Sequence, residues 1–588
     1  MKTRTSISAT SLAEIAAGNN GKNNHNLDIP TLVAFWKKNK YPLLSLNNSS
    51  DSPELFGSPE FQAAWIEENA IYNSLKAEYN IVQERWARAG IRSILIKSGG
   101  IFPSFPYTSD NLDVLIKEED EAAARAILLE EGYVELINIE EPKKFLFRKF
   151  SEGLSISAIH LHTQVGWLVG FMDEKALWER SRVAPDDASI TVPSPEDIIL
   201  ITTAHSFYEN KRFRFADVVK IREWWSQGSI NWEYMERVAA QRGWLDGLLF
   251  CLLLCAHIEE AIWGETTVPP AIREAWRNSL KRLPLTYRYF RKAIRRSLVS
   301  LPFNVSFFFS KILYYKKIVF DRRRCLTGKL YDVLLTLLVG IKLKARLNLH
   351  PSFLVSFSGP DGSGKTVHAQ TLEKILIVCG LEPKYYWNRT ATSGFIRFFS
   401  MIIKAFRKSQ TSKAGEQKPG AAGRGERLRN PLLRSLWSYL VAADMVWSYF
   451  FQVRLPMFWG KVVVCDRYIF DAATEMECSL SPRDRINRLA IKLMLTLTPK
   501  PAVAYFLDIP EGVCAERKAE NTDSDYLRQQ REKYNQLIKR YDMRVKNTNG
   551  DFSTVADAIA IEALNAYYDN FKSSFITRLS WLFVFRPN

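Results

Sequence analysis

The run Gly359-Pro-Asp-Gly-Ser-Gly-Lys-Thr366 constrains this chain more than any other feature, because it has the form G-x-x-x-x-G-K-[ST] in the setting that form requires. Upstream, Phe353 to Phe357 is a short apolar run suited to a buried strand. Downstream, Ala369, Leu372, Ile375, Leu376 and Cys379 recur at helical spacing, so the loop falls between a strand and a helix. Such a loop cradles phosphate. Gly359, Gly362 and Gly364 let the backbone curl until several N–H groups face an anion, and the dipole of the following helix adds positive potential. Lys365 is placed to reach the β- and γ-phosphates of ATP and Thr366 to hold Mg2+, with Asp361 and Ser363 completing the ATP-binding run.

A length of 588 residues allows about three or four domains. The seven cysteines are scattered with no C-x-x-C pair, which argues against a zinc site or a disulfide framework and for a reducing, cytoplasmic setting. The N-terminus lacks the apolar stretch of a secretory signal. The longest apolar runs, Leu245 to Ile258 and Val333 to Ile341, fall short of the roughly 18 residues of a membrane span.

Residues 1–60 mix Ser, Asn, Gly and Pro with one short amphipathic stretch near Leu32 to Trp36 and are expected to be poorly ordered. A globular pattern follows over 61–280. Ser93 to Ile96 reads as a strand leading into Lys97-Ser-Gly99-Gly100. Leu112 to Ile116 reads as a second strand carrying Asp113, and later come His160-Leu-His162, His205 and Asp217-Val218. This arrangement resembles the nucleotidyltransferase superfamily, in which a glycine loop, an Asp-x-Asp strand and an Asp/Glu-x-His strand assemble a metal site. The resemblance implies an α+β domain with a helical extension and a candidate site of Lys97, Gly99, Gly100, Asp110 and Asp113. Two-metal chemistry needs two or three carboxylates close together. Here Asn111 stands at the first carboxylate unless Asp110 shifts into its place, and His160 stands at the third. The expectation is a domain with impaired catalysis, in which His205 and Asp217 serve as a cap or core hydrogen bond.

The net charge of +17 is concentrated in one segment. Residues 281–350 carry 17 Lys and Arg against two acids, Asp321 and Asp332, a net +15. Cations alternate there with aromatic and aliphatic residues such as Phe303, Phe307, Phe308 and Ile312. This basic connector suits packing between domains, adsorption to an anionic membrane surface, or, with less support, a nucleic-acid strand.

From 351 a second domain begins. Ser409 to Asn430 is Gly-, Lys- and Arg-rich and reads as a surface loop. A strand to Cys465 ends in Asp466-Arg467-Tyr468, and a strand from Ala502 ends in Asp508, with Arg517 on the helix beyond. In that order these motifs resemble the thymidylate kinase family. The resemblance implies an α/β fold with a P-loop kinase parallel sheet flanked by helices over 351–588, using ATP and Mg2+. It assigns Lys365, Asp466, Arg467 and Arg517 as catalytic, and Thr366 and Asp466 to the metal. Asp361 approaches the acceptor's sugar hydroxyl and Arg467 clamps the acceptor phosphate, unless Arg467 instead pairs with Asp444 or Asp471. Lys518, Arg528 and Arg531 are weaker candidates beside Arg517. Two departures affect the acceptor: Ala442-Ala443-Asp444-Met445 places methionine where that family reads a base with arginine, and Asp471 adds negative charge.

The expected activity is phosphoryl transfer from ATP to a nucleoside monophosphate or a related phosphorylated acceptor. The alternatives are nucleotidyl transfer in the first domain, or nucleotide binding without catalysis at a membrane surface. The expected location is cytoplasmic, peripheral at the inner face of the membrane. A homodimer stays open, and nucleic acid is disfavoured as a partner.

Overall fold

A computed structural model describes residues 29–46, 53–97, 105, 111–136, 143–226, 228, 230–297, 301–344, 352–388, 431–478, 485–510, 512–513 and 524–573. The chain is mixed α/β and divides near residue 345 into two compact units, each with one five-stranded sheet.

In the first unit, helix α1 (Ile29–Lys38) precedes the long helix α2 (Pro59–Arg88). Local chemistry sets the bounds of α2. Ser58 accepts a hydrogen bond from the Phe61 N–H at 3.4 Å, Pro59 opens the first turn, and Gly90 follows the last turn at φ +76°. The sheet comprises β1 (Ser93–Leu95), β2 (Leu112–Ile116), β3 (Val134–Leu136), β4 (Lys144–Ser151) and β5 (Leu154–His162), in the order β1-β2-β5-β4-β3. Strands β2 and β5 are parallel, whereas β1 runs antiparallel to β2 and β3 to β4.

Side chains alternate across this sheet. Leu112, Val114 and Ile116 join Tyr79, Val82 and Trp86 of α2 and Leu128 of helix α3 (Glu121–Glu130) in one core. Leu115, on the other face, joins a larger helical core. Helices α4 (Pro195–Ala204), α5 (Phe215–Ser226) and α6 (Leu245–Trp263) build that second core. Every residue of α6 from Asp246 to Ala256 is buried, which explains an apolar run too short to span a bilayer.

Two expectations change here. Within 1–60, α1 is ordered and packs Leu32, Val33 and Trp36 into the helical core. The short amphipathic stretch near Leu32 to Trp36 is this helix, and its apolar side is covered by a core that the polar residues around it do not announce. The basic 281–350 connector is also not a linker. Its helices Pro284–Ser297, α7 (Phe307–Phe320) and α8 (Leu326–Lys344) lie in the first unit, and Phe303, Val305, Leu313, Tyr314 and Ile318 complete its core. Even one of the cations is interior: Lys317 donates to the Gly170 carbonyl at 2.6 Å and pairs with Asp321 at 3.2 Å.

In the second unit, strands β6 (Phe353–Ser358), β7 (Pro383–Trp387), β8 (Val462–Asp466), β9 (Val503–Asp508) and β10 (Arg544–Asn547) form a wholly parallel sheet ordered β7-β8-β6-β9-β10. The inner strands β6, β8 and β9 are almost entirely buried, as their continuous apolar runs require. Helices α9 (Lys365–Val378), α10 (Pro431–Tyr449), α11 (Ile469–Cys478), α12 (Ser524–Tyr541) and α13 (Phe552–Ser573) accompany the sheet. The edge strands β7 and β10 carry no apolar pattern. Asp542 at φ +52° ends α12, and residues 544–547 pair with β9. The Ser409 to Asn430 loop lies outside the described residues.

Because Trp36 is fully buried, Trp36→Ala is expected to destabilise the first unit by about 3–5 kcal/mol. Urea unfolding followed by fluorescence measures this, and a change near zero would mean that α1 does not belong to the core.

Candidate functional site

In the first unit the buried polar cluster centres on Asp113, in the middle of a strand whose neighbours are apolar. Register places Asp113 directly opposite His160 on the parallel strand β5. His162, two residues on, therefore faces the same side. The His162 Nε2 lies 2.8 Å from Asp113 Oδ1 and the His160 Nδ1 3.6 Å from the same oxygen. Lys97, just after β1, puts its Nζ 3.1 Å from Asp113 Oδ1 and 3.5 Å from Glu209 Oε2.

The backbone is held to suit this. Lys97 sits at φ +65°, and its carbonyl accepts from the Lys220 Nζ of α5 at 2.8 Å. Glu209 ends a π-helical turn, His205–Glu209, that extends α4, and His205 Nε2 pairs with its Oε2 at 3.0 Å. Trp167 lies beside both His205 and the Lys97 ammonium, with its ring centre 5.8 Å from the imidazole centre and 5.7 Å from Nζ.

Burial pushes both carboxyls up, but neighbouring cations prevail. Lys97 and the two imidazoles hold Asp113 well below the usual carboxylate range, and His205 with Lys97 brings Glu209 down to about 2. Burial lowers His160, and it lowers His162 to about 4, so both imidazoles are neutral at pH 7. The His162 Nε2–H then donates to Asp113, leaving a buried Nδ1 with no hydrogen-bond partner among the described residues.

Sequence reasoning named Lys97 and Asp113 for this site, and the structure brings them together. Gly99, Gly100 and Asp110 lie outside the described residues. Asp217 is elsewhere, accepting the Arg214 N–H at 2.9 Å beside the start of α5, which is the capping role expected of it. His205 meets Glu209 and Asn210 and joins the cluster through Glu209. Glu209 was missed, although its place four residues after His205 put the pair on one side of a helical turn.

In the second unit the cluster lies at the carboxyl ends of β6 and β8, where adjacent strands connect onward in opposite directions and leave a crevice. The Gly359–Thr366 run joins β6 to α9 and needs its glycines, since Gly359, Gly362 and Gly364 have φ of +152°, +90° and +82°. Gly359 also approaches the Leu507 carbonyl so closely that a Cβ would lie 2.6 Å from it. The Lys365 Nζ donates to the carbonyls of Gly359 and Pro360, both at 2.7 Å. Burial lowers the pKa of this ammonium.

Thr366 Oγ1 donates to Asp466 Oδ2 at 2.7 Å, and the Tyr385 hydroxyl donates to the same oxygen at 2.7 Å. The other Asp466 oxygen is buried with no hydrogen-bond partner among the described residues. Arg467, at φ +67°, extends its guanidinium to Asp361. Arg531 pairs with Asp508 at 2.8 Å.

Three expectations about this unit change. Arg467 pairs with Asp361, not with Asp444 or Asp471. Asp471 is no free negative charge, because it accepts the Gly359 N–H at 3.2 Å, the Tyr468 N–H at 2.9 Å and the Tyr534 hydroxyl at 2.8 Å. Met445 is buried, and its sulfur accepts from Asn388 Nδ2 at 3.3 Å, so it packs inward at the position expected to read a base. Arg517 and Lys518 lie outside the described residues. Tyr385 and Tyr534 were missed, and nothing local in the sequence marks them.

Residues 104–259 match a family described as uncharacterised nucleotidyltransferase. This part of the chain is therefore nucleotidyltransferase-like, and the similarity suggests a nucleotide-related transferase. The matched stretch includes Asp113, both strand histidines, His205 and Glu209. No curated protein matches the chain.

Nucleotidyl transfer ordinarily relies on divalent metal held by several carboxylates. The described residues of the nucleotidyltransferase-like region do not fit that requirement. Asp113 and Glu209 are both engaged by the Lys97 ammonium, Asn111 offers an amide against His160, and among the described residues no group of three His, Cys, Asp or Glu side chains could hold a metal.

The low pKa of His162 fixes a pH dependence. Its folded value, about 4, lies below the ordinary 6.5, so the unfolded chain binds the proton more readily and stability falls as pH drops from about 6.5 towards 4. Between pH 7 and 5.5 the loss is expected to be on the order of 1 kcal/mol, flattened in His162→Gln. Urea midpoints measured across that range test it; identical slopes in the two proteins would contradict a neutral buried His162.

Proposed function

We propose that the chain is an ATP- and Mg2+-dependent phosphotransferase whose chemistry lies at the carboxyl edge of the parallel sheet in 351–588, of thymidylate kinase-like type. What supports this reading above all is the meeting of Thr366 with Asp466 across the crevice, with one buried Asp466 oxygen left unpartnered beside Lys365. A hydroxyl and a carboxylate are hard oxygen donors, and Mg2+ is a hard cation. Thr366 and Asp466 are the residues to hold it, where it would neutralise phosphate charge.

The remaining roles follow from the chain's own groups. Phosphoryl transfer asks for positioning and for positive charge on the equatorial oxygens. The loop amides and the first turn of α9 receive the ATP phosphates. Lys365 exchanges the Gly359 and Pro360 carbonyls for the β- and γ-phosphates, a favourable exchange because a buried ammonium gains more from an anion than from neutral carbonyls. Asp471, by fixing the Gly359 N–H and Tyr534, keeps the loop in one shape. Arg467, oriented by Asp361, is the clamp for the acceptor's phosphate, and Arg517 is the candidate to neutralise the group in transit. The acceptor class is a nucleoside monophosphate or a related phosphorylated molecule.

A second reading is nucleotidyl transfer centred on Asp113. The family match over 104–259 favours it, and the pairing of Asp113 with Lys97 weighs against it. ATP labelled at the γ- or the α-phosphate separates the two when incubated with a panel of nucleoside monophosphates and sugar phosphates. Transfer of the γ-label, reduced on the order of 10²–10³-fold by Lys365→Ala and by Asp466→Asn but not by Asp113→Asn, is the expected result. Transfer of the α-label that is lost in Asp113→Asn and kept in Lys365→Ala would replace the first reading with the second.

A further inference from the structure

The helices α7 and α8 answer only part of the question posed by the basic segment. They pack against the first unit and against each other, yet each leaves an apolar stripe in solvent. On α8, Leu326, Leu330, Leu334, Leu337 and Leu338 are all exposed, Leu326 by 73%. Their spacing of three and four residues keeps them on one side of the helix, over about 18 Å of its length. On α7, Phe308, Ile312 and Val319 follow the same spacing, with Phe308 exposed by 73%. Water-facing stripes of this extent mark interaction surfaces.

On the two helices and the turn between them, exposed charge has a single sign. The only acids between residues 301 and 344 are Asp321 and Asp332, and both are buried and paired, with Lys317 at 3.2 Å and Arg324 at 2.7 Å. Arg322 and Arg323 stand exposed in the turn between the helices, Arg323 already paired with Asp173 and Arg322 reaching solvent, and Lys311 and Lys329 are half-buried along them. Among the described residues no helix is long and apolar enough to cross a membrane.

We propose that the α7–α8 face docks the protein on an anionic lipid surface, with the leucine stripe entering the boundary between headgroups and acyl chains and Arg322, with the helix lysines, meeting lipid phosphates. Aliphatic side chains on one side, cations beside them and no exposed acid on either helix are the recognition chemistry of such a surface. A second copy suits the face less well, because it would bring only its own cations, and no exposed acid from these helices, to a surface already positive. Single-stranded nucleic acid suits it less well too, because leucines offer nothing on which a base stacks.

The test is co-sedimentation of the full chain with phosphatidylcholine vesicles, with and without phosphatidylglycerol. Binding is expected with phosphatidylglycerol, weakening as salt rises from about 0.1 to about 1 M. Leu330→Glu with Leu334→Glu should lower the partition by roughly tenfold or more. Arg322→Glu should lower only the part that depends on anionic lipid. Because these side chains face water, circular dichroism and the melting temperature should match those of the parent protein. Recovery of the parent protein in the supernatant with anionic vesicles overturns the proposal, as does unchanged binding by the leucine variant. A dimer in sedimentation velocity that the leucine variant dissociates, without vesicle binding, would assign the face to a second copy instead. RNA binding that displaces vesicles and survives in the leucine variant would also overturn it.

Discussion

A carboxylate buried in a strand costs several kcal/mol unless its charge is met, and each unit of this protein is arranged around one such group. In the first, Asp113 is met internally. Lys97, His160 and His162 surround it, and the ammonium extends the arrangement to Glu209. In the second, Asp466 is met on one oxygen by Thr366 and Tyr385 and left open on the other. In the first cluster the carboxylates are met by Lys97 and the imidazoles, and His162 keeps one buried nitrogen without a partner among the described residues. In the second the carboxylate itself is the group left with an unpartnered oxygen, in a unit whose glycine run carries a buried lysine.

The consequences reach the backbone. Lys97 and Arg467 both adopt left-handed conformations that L-residues avoid, and in each case neighbouring bonds hold them: the Lys220 ammonium on the Lys97 carbonyl, and the Tyr449 hydroxyl on the Arg467 carbonyl at 3.4 Å. Each residue lies just after a strand, so the turn sends its side chain back over the sheet edge to a carboxylate. The glycine loop obeys the same logic with less strain, because its positive φ values fall on glycines.

How much of this was legible in sequence depends on range. The central strands β6, β8 and β9 and helix α9 were readable to within a residue, because continuous apolar runs and helical spacing are local properties. The edge strands β7 and β10 were not, since a solvated edge needs no apolar pattern. Helix α1 showed as an amphipathic stretch, but the distant core that orders it did not. The basic segment was read from charge, and its composition did not tell which apolar residues would turn inward. Leu313, Tyr314 and Ile318 did, while Phe308 and Ile312 did not.

The sequence by itself determined the glycine-rich run Gly359–Thr366, the strand and helix around it, the carboxylates at the ends of two later strands, and the concentration of positive charge in 281–350. These depend on neighbouring residues, so they survive reading in one dimension. Only the tertiary structure decided what those charges meet. Thr366 and Asp466 touch across 100 positions, Arg467 and Asp361 across 106, and Asp471 and Gly359 across 112. Parallel pairing of strands distant in sequence makes these encounters, and a one-residue shift in register would turn each side chain to the opposite face.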